Sequence, residues 1–262
     1  MLLLVDVGNT RVKWAQAALT PDGNGPGRWH ASGSVALEHI AQLEPVWRDL
    51  HFTRVMITNV AGTATREALT QMLLRIGTQV GAEWFVSLPT LAGVRNGYRN
   101  PSQLGSDRFA AAIGARAVFP RQDLLLVTCG TATTIDALGA DGLFIGGLIL
   151  PGLNVMASAL ARNTAQLPSQ LSQLLQQGEH LPLFADNTDD AIMQGCIAAQ
   201  VGAIERTFTA HAAMKPNRSI QCVIAGGAST VILPHLAIPY VHVDNLVLLG
   251  LQTAAYLETP NC

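Results

Sequence analysis

Two stretches of this chain share one pattern, and their spacing limits the fold more than any other feature. Leu2–Trp14 runs as an apolar strand carrying Asp6 near its end, turns through Gly8-Asn9-Thr10, and returns as the alternating Arg11-Val12-Lys13-Trp14. Leu124–Asp136 repeats it: Val127 falls on Val5, Thr128 on Asp6, Gly130 on Gly8 and Thr131 on Asn9. A strand, a tight polar turn and a returning strand make a hairpin, and backbone N–H groups around such a turn can face an anion. A repeat at about half the chain length implies duplicated lobes rather than a solenoid. The 262 residues exceed the usual size of one domain, so two lobes or one large α/β unit are both possible. The echo favours two.

Composition supplies the core and removes several function classes. Hydrophobic residues make up 49% of the chain and charged residues 13%, enough apolar material for a substantial interior. A net charge of −2 argues against a nucleic-acid footprint. No run of like charges suits an anionic membrane surface, and no apolar stretch reaches the length of a spanning helix. Met1–Val5 is apolar, but it lacks a basic leader, and Asp6 and Asn9 interrupt it before a signal-peptide core could form. Cys129, Cys196, Cys222 and Cys262 show neither pairing nor metal-ligand spacing. The expectation is a soluble cytoplasmic protein.

Taken in order, the hairpin over residues 2–18 is followed by the Gly/Pro-rich turn Pro21–Gly27 and a third strand near Arg28–Val35. The pattern predicts a helix over Glu38–Leu50, a buried strand over Arg54–Val60, a helix over Thr63–Ile76 stopped by Gly77, and a short strand at Glu83–Ser87. Gly97–Arg108 reads as a loop, from whose end an Ala-rich helix runs to Val118. After the second hairpin come a strand at Leu143–Leu150, a helix at Leu153–Leu160 and a polar, Gln-rich stretch at Gln166–Gln177. A long helix over Thr188–Ala213, mildly broken at Gly195 and Gly202, a strand at Ser219–Ala225, a short strand at Tyr240–Val243 and an apolar helix over Asn245–Leu257 complete the chain. The predicted lobes are 1–118 and 119–262.

Four polar turns could carry chemistry: Asp6–Thr10, Gly105–Arg108, Gly130–Thr134 and Gly226–Ser229. Small residues where strand meets turn let backbone amides approach an anion unobstructed. Two matched hairpins with hydroxyl residues, plus Gly226-Gly227 after a strand, point to a bound nucleoside triphosphate. The P-loop and the dinucleotide glycine fingerprint are both absent. Phosphoryl transfer needs positioning, charge neutralisation and a group that orients or deprotonates the acceptor hydroxyl. Asp6 could hold a divalent cation directly or through water, and Asp107 beside Arg108 offers a base and a cation in one loop. The plainer readings are a helix N-terminal Asp with a surface Arg, a simple strand-to-helix turn at Gly226-Gly227, and Asp136 as a hairpin pairing residue. The scattered histidines read as surface or structural.

With these motifs assembled, the chain resembles type III pantothenate kinase over nearly its whole length. Asp6–Thr10 is similar to that family's first phosphate motif, and Tyr98, Asn100-Pro101 and Gly105–Arg108 to its pantothenate and catalytic segment. Gly130–Asp136 is similar to the second phosphate motif. Gly146-Gly147 with Leu150-Pro151-Gly152, then Asn187-Thr188 with Ala191-Ile192 and Gly195, then Gly226-Gly227 follow in the family's order.

The resemblance implies an α/β fold of duplicated ribonuclease-H-like lobes, of the actin and acetate-kinase type, with a central interlobe cleft. It implies ATP-dependent phosphorylation of pantothenate. Asp107 would be the base. Asp6, Gly8, Asn9, Thr10, Lys13, Gly130, Thr131, Thr133, Gly226 and Gly227 would bind ATP and its phosphates, with Asp6 serving Mg2+. Tyr98, Gly105, Ser106, Asp107, Arg108 and Thr188 would hold pantothenate, Thr188 reaching it across a homodimer interface.

One position departs from the family, which commonly places Asp before the second phosphate motif to help bind K+ or NH4+. Here it is Thr128, whose hydroxyl brings no formal charge, so monovalent-cation dependence is in doubt. Two other readings keep the same residues: a kinase of this fold acting on another small acid, and a nucleotide-binding transcription-accessory protein. Intact Asp6 and Asp107 weigh against the noncatalytic one.

Overall fold

The computed structural model describes residues 1–20, 27–77, 80–163 and 183–257. Most of the turn expected at Pro21–Gly27 and the Gln-rich stretch Gln166–Gln177 lie outside the described residues. The chain divides into two units. The first comprises Met1–Arg121, Ala140–Ile145 and Asn245–Cys262, and the second comprises Gln122–Gly139 and Gly146–Asp244.

In the first unit, β1 (Leu2–Val7), β2 (Arg11–Ala17), β3 (Ala31–Ala36), β4 (Arg54–Asn59) and β5 (Ala82–Trp84) lie in the order β3-β2-β1-β4-β5. The pairs β1/β2 and β2/β3 are antiparallel, and β1/β4 and β4/β5 are parallel. Successive side chains on a strand face opposite sides. Leu3, Val5 and Val7 of β1, with Val55 and Ile57 of β4, therefore share one core with Trp47, Leu69 and Met72. These last come from α1 (Leu43–Arg48) and α2 (Thr63–Arg75). The helix expected over Glu38–Leu50 is instead a 3-10 turn, Leu37–Gln42, followed by α1. Pro45 has no N–H to donate, so it fits only the first turn of an α-helix, and α1 starts just ahead of it.

The opposite face of the sheet carries α3 (Ser106–Val118) and the C-terminal helix Leu246–Leu257. These two cross with almost no side chain between them. A Cβ on Gly250 would lie 1.8 Å from the Ala110 carbonyl, and one on Gly114 would lie 2.3 Å from that of Leu246. Cutting the chain after residue 118 would assign the C-terminal helix to the second unit, whereas it packs in the first. Its run Leu246–Leu251 needs cover around most of its circumference, and the Ala-rich face of α3 provides it. The first unit also holds β6 (Thr90–Leu91) and β7 (Val94–Asn96), with Arg95 and Asn96 paired in parallel to Leu143 and Phe144 at the start of β10 (Leu143–Pro151).

The second unit repeats the plan. β8 (Asp123–Cys129) and β9 (Ala132–Leu138) form the hairpin, and β11 (Ile220–Ala225) and β12 (Tyr240–His242) extend it in parallel. The neighbour order β10-β9-β8-β11-β12 matches β3-β2-β1-β4-β5 strand for strand. This is the duplicated α/β architecture expected from the echo. Leu125, Val127 and Cys129 pack with Cys222, Ile224, Leu153, Met193 and Ile197, joining the sheet to α4 (Leu153–Asn163) and α5 (Thr188–Ala213). Helix α5 runs unbroken through Gly195 and Gly202. Among the described residues, no helix is long and apolar enough to cross a membrane.

Candidate active site

Registration across the first sheet builds the site. Asp6 pairs with Lys13 of β2 and with Thr58 of β4. Lys13, Asp6 and Thr58 thus form one row on the face that bears α3. Asp6 alternates with Leu2 and Leu4, both fully buried, so its carboxylate sits at the edge of an apolar layer. Burial raises its pKa to about 7, the charge of Asp107 raises it further within that value, and Lys13 opposes both. Asp107 is also raised, chiefly by burial, against the lowering effects of the Arg108 backbone N–H and the Arg108 charge. Two desolvated carboxylates that repel each other make a proton acceptor and a ready cation-binding pair.

Helix α3 presents this second carboxylate. Gly105 caps it, and Ser106, Asp107 and Arg108 form its first turn. The Arg108 N–H donates to Asp107 Oδ1 at 2.8 Å, fixing the carboxylate beside its own helix start. Thr58 Oγ1 donates to Ser106 Oγ at 2.7 Å. Arg108 is 7% exposed, so the plainer reading of a solvated surface Arg does not hold. Its Nη1 donates to the Tyr98 hydroxyl at 2.7 Å, and its guanidinium lies 5.6 Å from the Tyr98 ring centroid and 5.7 Å from that of Phe144. Tyr98 is oriented in turn by its N–H, which donates to Asn96 Oδ1 at 3.0 Å. The site therefore has an acidic part, Asp6 and Asp107, next to a cationic part set against a pair of touching aromatic rings, whose centroids are 5.9 Å apart.

The hairpin turns hold in outline and differ in detail. Gly8 N–H donates to the Arg11 carbonyl and Gly130 N–H to that of Ala132, each at 3.0 Å. Each glycine amide thus closes its own turn. Asn9, Thr10, Gly130 and Thr131 are exposed at the tips, whereas Thr133 is buried. The second turn is one residue shorter: Val7 pairs with Val12, but Cys129 pairs with Thr133. The echo consequently shifts after the turn. Asp6 faces Lys13, while Thr128 faces Thr134 and, on β11, Ala225. The second hairpin lacks both members of the charged pair.

Gly226 follows Ala225 with φ +100°, and a Cβ there would sit 2.2 Å from the Cys129 carbonyl. The Ala228 N–H donates to that same carbonyl at 3.1 Å, so the Gly226-Gly227 turn is stitched to the end of β8. Ser229 Oγ donates to the Gly226 carbonyl at 2.7 Å and stands 3.0 Å from His242 Nε2. With its single proton given to Gly226, Ser229 accepts from His242. Gly152 presses on the second hairpin turn from another side, its N–H donating to the Thr131 carbonyl at 3.0 Å. Thr188, the first residue of α5, is exposed beside an apolar cavity of about 730 Å³ lined by Val155, Met156, Leu160 and Ile192.

Of the sequence-derived residues, Asp6, Gly8, Asn9, Thr10, Lys13, Tyr98, Gly105, Ser106, Asp107 and Arg108 lie in the first unit. Gly130, Thr131, Thr133, Thr188, Gly226 and Gly227 lie in the second, as does Thr128. Sequence reading missed Thr58 and Phe144. A lone Thr after the apolar Val55-Met56-Ile57 was the available signal for the first. Nothing local marks the second, which reaches Arg108 only through the pairing of β10 with β7.

A divalent cation fits the donor set. Among the described residues no group of three His, Cys, Asp or Glu side chains could hold a metal. An oxygen-only site of one or two carboxylates completed by phosphate oxygens suits Mg2+.

The family model described as type III pantothenate kinase matches residues 2–210. A type III pantothenate kinase from Herminiimonas arsenicoxydans is 53% identical, with the whole of both chains covered. One from Janthinobacterium sp. (strain Marseille) is 54% identical, again over the whole of both. Among solved structures, a candidate 2-dehydro-3-deoxygalactonokinase from Sinorhizobium meliloti superposes with a TM-score of 0.55 at 15% identity, covering 100% of each chain. At that identity the likeness concerns the fold alone.

Proposed function

This chain belongs to the type III pantothenate kinase family and phosphorylates pantothenate with ATP, the first step of coenzyme A biosynthesis, and we propose that Asp107 is the base of that reaction. The observation that carries the assignment is the raised, half-buried carboxylate of Asp107 at the first turn of α3, within reach of the Asp6 charge and adjoining the Arg108–Tyr98 pair. The pantothenate hydroxyl oxygen attacks the terminal phosphorus of ATP, the bond to the bridging oxygen breaks, and ADP leaves. The hydroxyl proton passes to Asp107, whose raised pKa favours taking it. The product is 4'-phosphopantothenate.

Arg108 supplies the cation that the pantothenate carboxylate requires, and Tyr98 and Phe144 hold its guanidinium plane. Gly105, Ser106 and Thr188 complete the acceptor pocket. Asp6 would hold Mg2+, directly or through water, and the bound ion would neutralise phosphate charge. Lys13, opposite Asp6, adds a second cation for the phosphates. Asn9, Thr10 and the Gly130-Thr131 turn, exposed at the hairpin tips, contact the phosphate chain, and Gly226-Gly227 adjoins the adenosine.

Thr188 acts in the site of a partner subunit. What supports this is its exposure beside an apolar cavity whose lining Val155 and Leu160 are 37% and 46% exposed, a surface that a second copy would cover. Thr128 offers a hydroxyl where a carboxylate would hold K+, so a monovalent cation would be held less tightly there. The location is the cytoplasm, in keeping with scattered cysteines, of which Cys129, Cys196 and Cys222 are buried free thiols.

A coupled ATP-consumption assay on purified protein with pantothenate tests the base assignment. Asp107→Asn is expected to lower kcat by roughly 10³-fold or more, and full activity in that variant removes Asp107 from the role. Equal rates in potassium and sodium buffers are expected, and strict K+ dependence contradicts the reading of Thr128. Sedimentation at assay concentrations is expected to show a dimer.

A further inference from the structure

Thr58 is a polar residue in a strand segment that otherwise buries only hydrocarbon. Val55, Met56 and Ile57 precede it, and it is itself fully buried. A hydroxyl taken from water costs free energy unless it is hydrogen-bonded, a cost that the isosteric Val avoids. Its bond is specific: Thr58 Oγ1 donates to Ser106 Oγ at 2.7 Å across 48 residues of sequence. One end of that bond is in register with Asp6, and the other is the residue before Asp107. The hydroxyl pair therefore spans from the strand row that carries one carboxylate to the helical turn that carries the other. Only two side chains lie along the path.

The first turn of α3 is also held through Arg108, whose Nη1 donates to the Tyr98 hydroxyl at 2.7 Å. Ser87 Oγ reaches the Gly105 carbonyl at 3.4 Å, a long contact, and Asp107 is held by its own helix through the Arg108 N–H.

We propose that Thr58 is a positioning residue for phosphoryl transfer. Through Ser106 it fixes the first turn of α3 over the Lys13–Asp6–Thr58 row, and so sets where the Asp107 carboxylate meets the acceptor hydroxyl. This rests on Asp107 being the base. Misplacement of a catalytic group by a fraction of an ångström is enough to slow turnover while leaving nucleotide binding intact.

The test compares Thr58→Val, Thr58→Ala, Thr58→Ser, Ser106→Ala and Thr58→Val/Ser106→Ala by steady-state kinetics, alongside Asp107→Asn. Thr58→Val is expected to lower kcat by about tenfold with KM for ATP within about twofold of the parent. Thr58→Ser, which keeps the hydroxyl and loses the methyl, is expected to recover kcat to within about twofold. In the Ser106→Ala background, Thr58→Val is expected to cost little more, because the bond is already gone. If Thr58→Val does not fold, Thr58→Ala against Thr58→Ser makes the same comparison, and kcat must follow the hydroxyl rather than the volume. Parental kcat in Thr58→Val, equal impairment in Thr58→Ser and the hydroxyl-free variant, or additive losses in the double variant each overturn the proposal. An active Asp107→Asn removes the base assignment beneath it. An inactive Asp107→Asn with a parental Thr58→Val removes the positioning role alone.

Discussion

The charge of Asp107 opposes the ionisation of Asp6: burial raises the Asp6 carboxyl to about 7, and Asp107 is the next largest cause. A carboxyl raised in the folded state binds its proton more tightly there than in the unfolded chain. Its contribution to stability is complete below the unfolded pKa of 3.8 and is lost as pH rises through about 7. At pH 8 without magnesium, ionised Asp6 therefore works against folding. Asp6→Asn is expected to stabilise the ligand-free protein at that pH by about 1–3 kcal/mol, and to leave stability at pH 4 nearly unchanged. Turnover is expected to fall by at least about 10²-fold in the same variant. Urea denaturation at both pH values, with EDTA present, and the ATP-consumption assay supply the measurements. A variant less stable than the parent at pH 8 contradicts the prediction.

Gly105 tests the geometry of the base without touching its chemistry. A Cβ there would lie 2.6 Å from Asp107 Oδ1, the mobile end of a side chain. The cheapest response is for the carboxylate to rotate away from its present position. Gly105→Ala is therefore expected to keep its melting temperature within a few degrees and to lose about 10²-fold in kcat, because displacement of a catalytic group costs rate and little stability. Thermal unfolding and steady-state kinetics on one preparation separate the two. A large drop in Tm with normal turnover of the folded fraction contradicts this account.

Tyr98 holds Arg108 in two ways, by its hydroxyl at 2.7 Å and by its ring face. Tyr98→Phe removes the first and keeps the second. Arg108 then keeps its charge and its stacking on Phe144 but loses its angular fix. The expected outcome is a rise of about 5- to 20-fold in KM for pantothenate, with KM for ATP unchanged and kcat lowered less. Tyr98→Leu, which also removes the ring, is expected to raise KM further. Equal effects on the KM values of both substrates contradict the assignment of this pair to the acceptor.

Both hairpins, and the duplication they announce, were legible because strand, glycine turn and returning strand are local patterns that tertiary packing did not override. Asp107 at a helix start was legible for the same reason. Other features depended on interactions the linear pattern does not record. The one-residue shortening of the second turn is set by which carbonyl accepts from Gly130 N–H, so the facing of Lys13 to Asp6, and of Thr134 to Thr128, could not be aligned by eye. Thr58 reads as an ordinary β-branched strand former until its depth and its bond to Ser106 are seen. Helix length failed at Glu38–Leu50, where Pro45 controls the start of α1, and the packing of the C-terminal helix on α3 depends on the Gly114–Gly250 crossing. Phe144 comes to Arg108 through pairing of distant strands, which no short-range signal encodes.

His211 carries the last prediction, and it concerns stability rather than catalysis. It sits in the last turn of α5, 7% exposed, and its Nε2 has no hydrogen-bond partner among the described residues. Close by, Asp123 of β8 pairs with Lys215 and, at 3.3 Å, with Arg218. Burial lowers the pKa of His211, the Lys215 charge lowers it further, and Asp123 opposes both. The unfolded chain therefore takes up the proton first on acidification. Stability is fully present above the unfolded value of 6.5 and declines as pH falls through it toward the folded value. His211→Leu has no proton to gain and no unpaired nitrogen to bury. Its melting temperature relative to the parent is expected to rise steadily between pH 7.5 and pH 5.5, while Asp123 stays ionised and ion-paired in both proteins. Thermal unfolding at half-unit steps measures the trend. A difference that is constant across that window would show that His211 does not gain a proton on unfolding there.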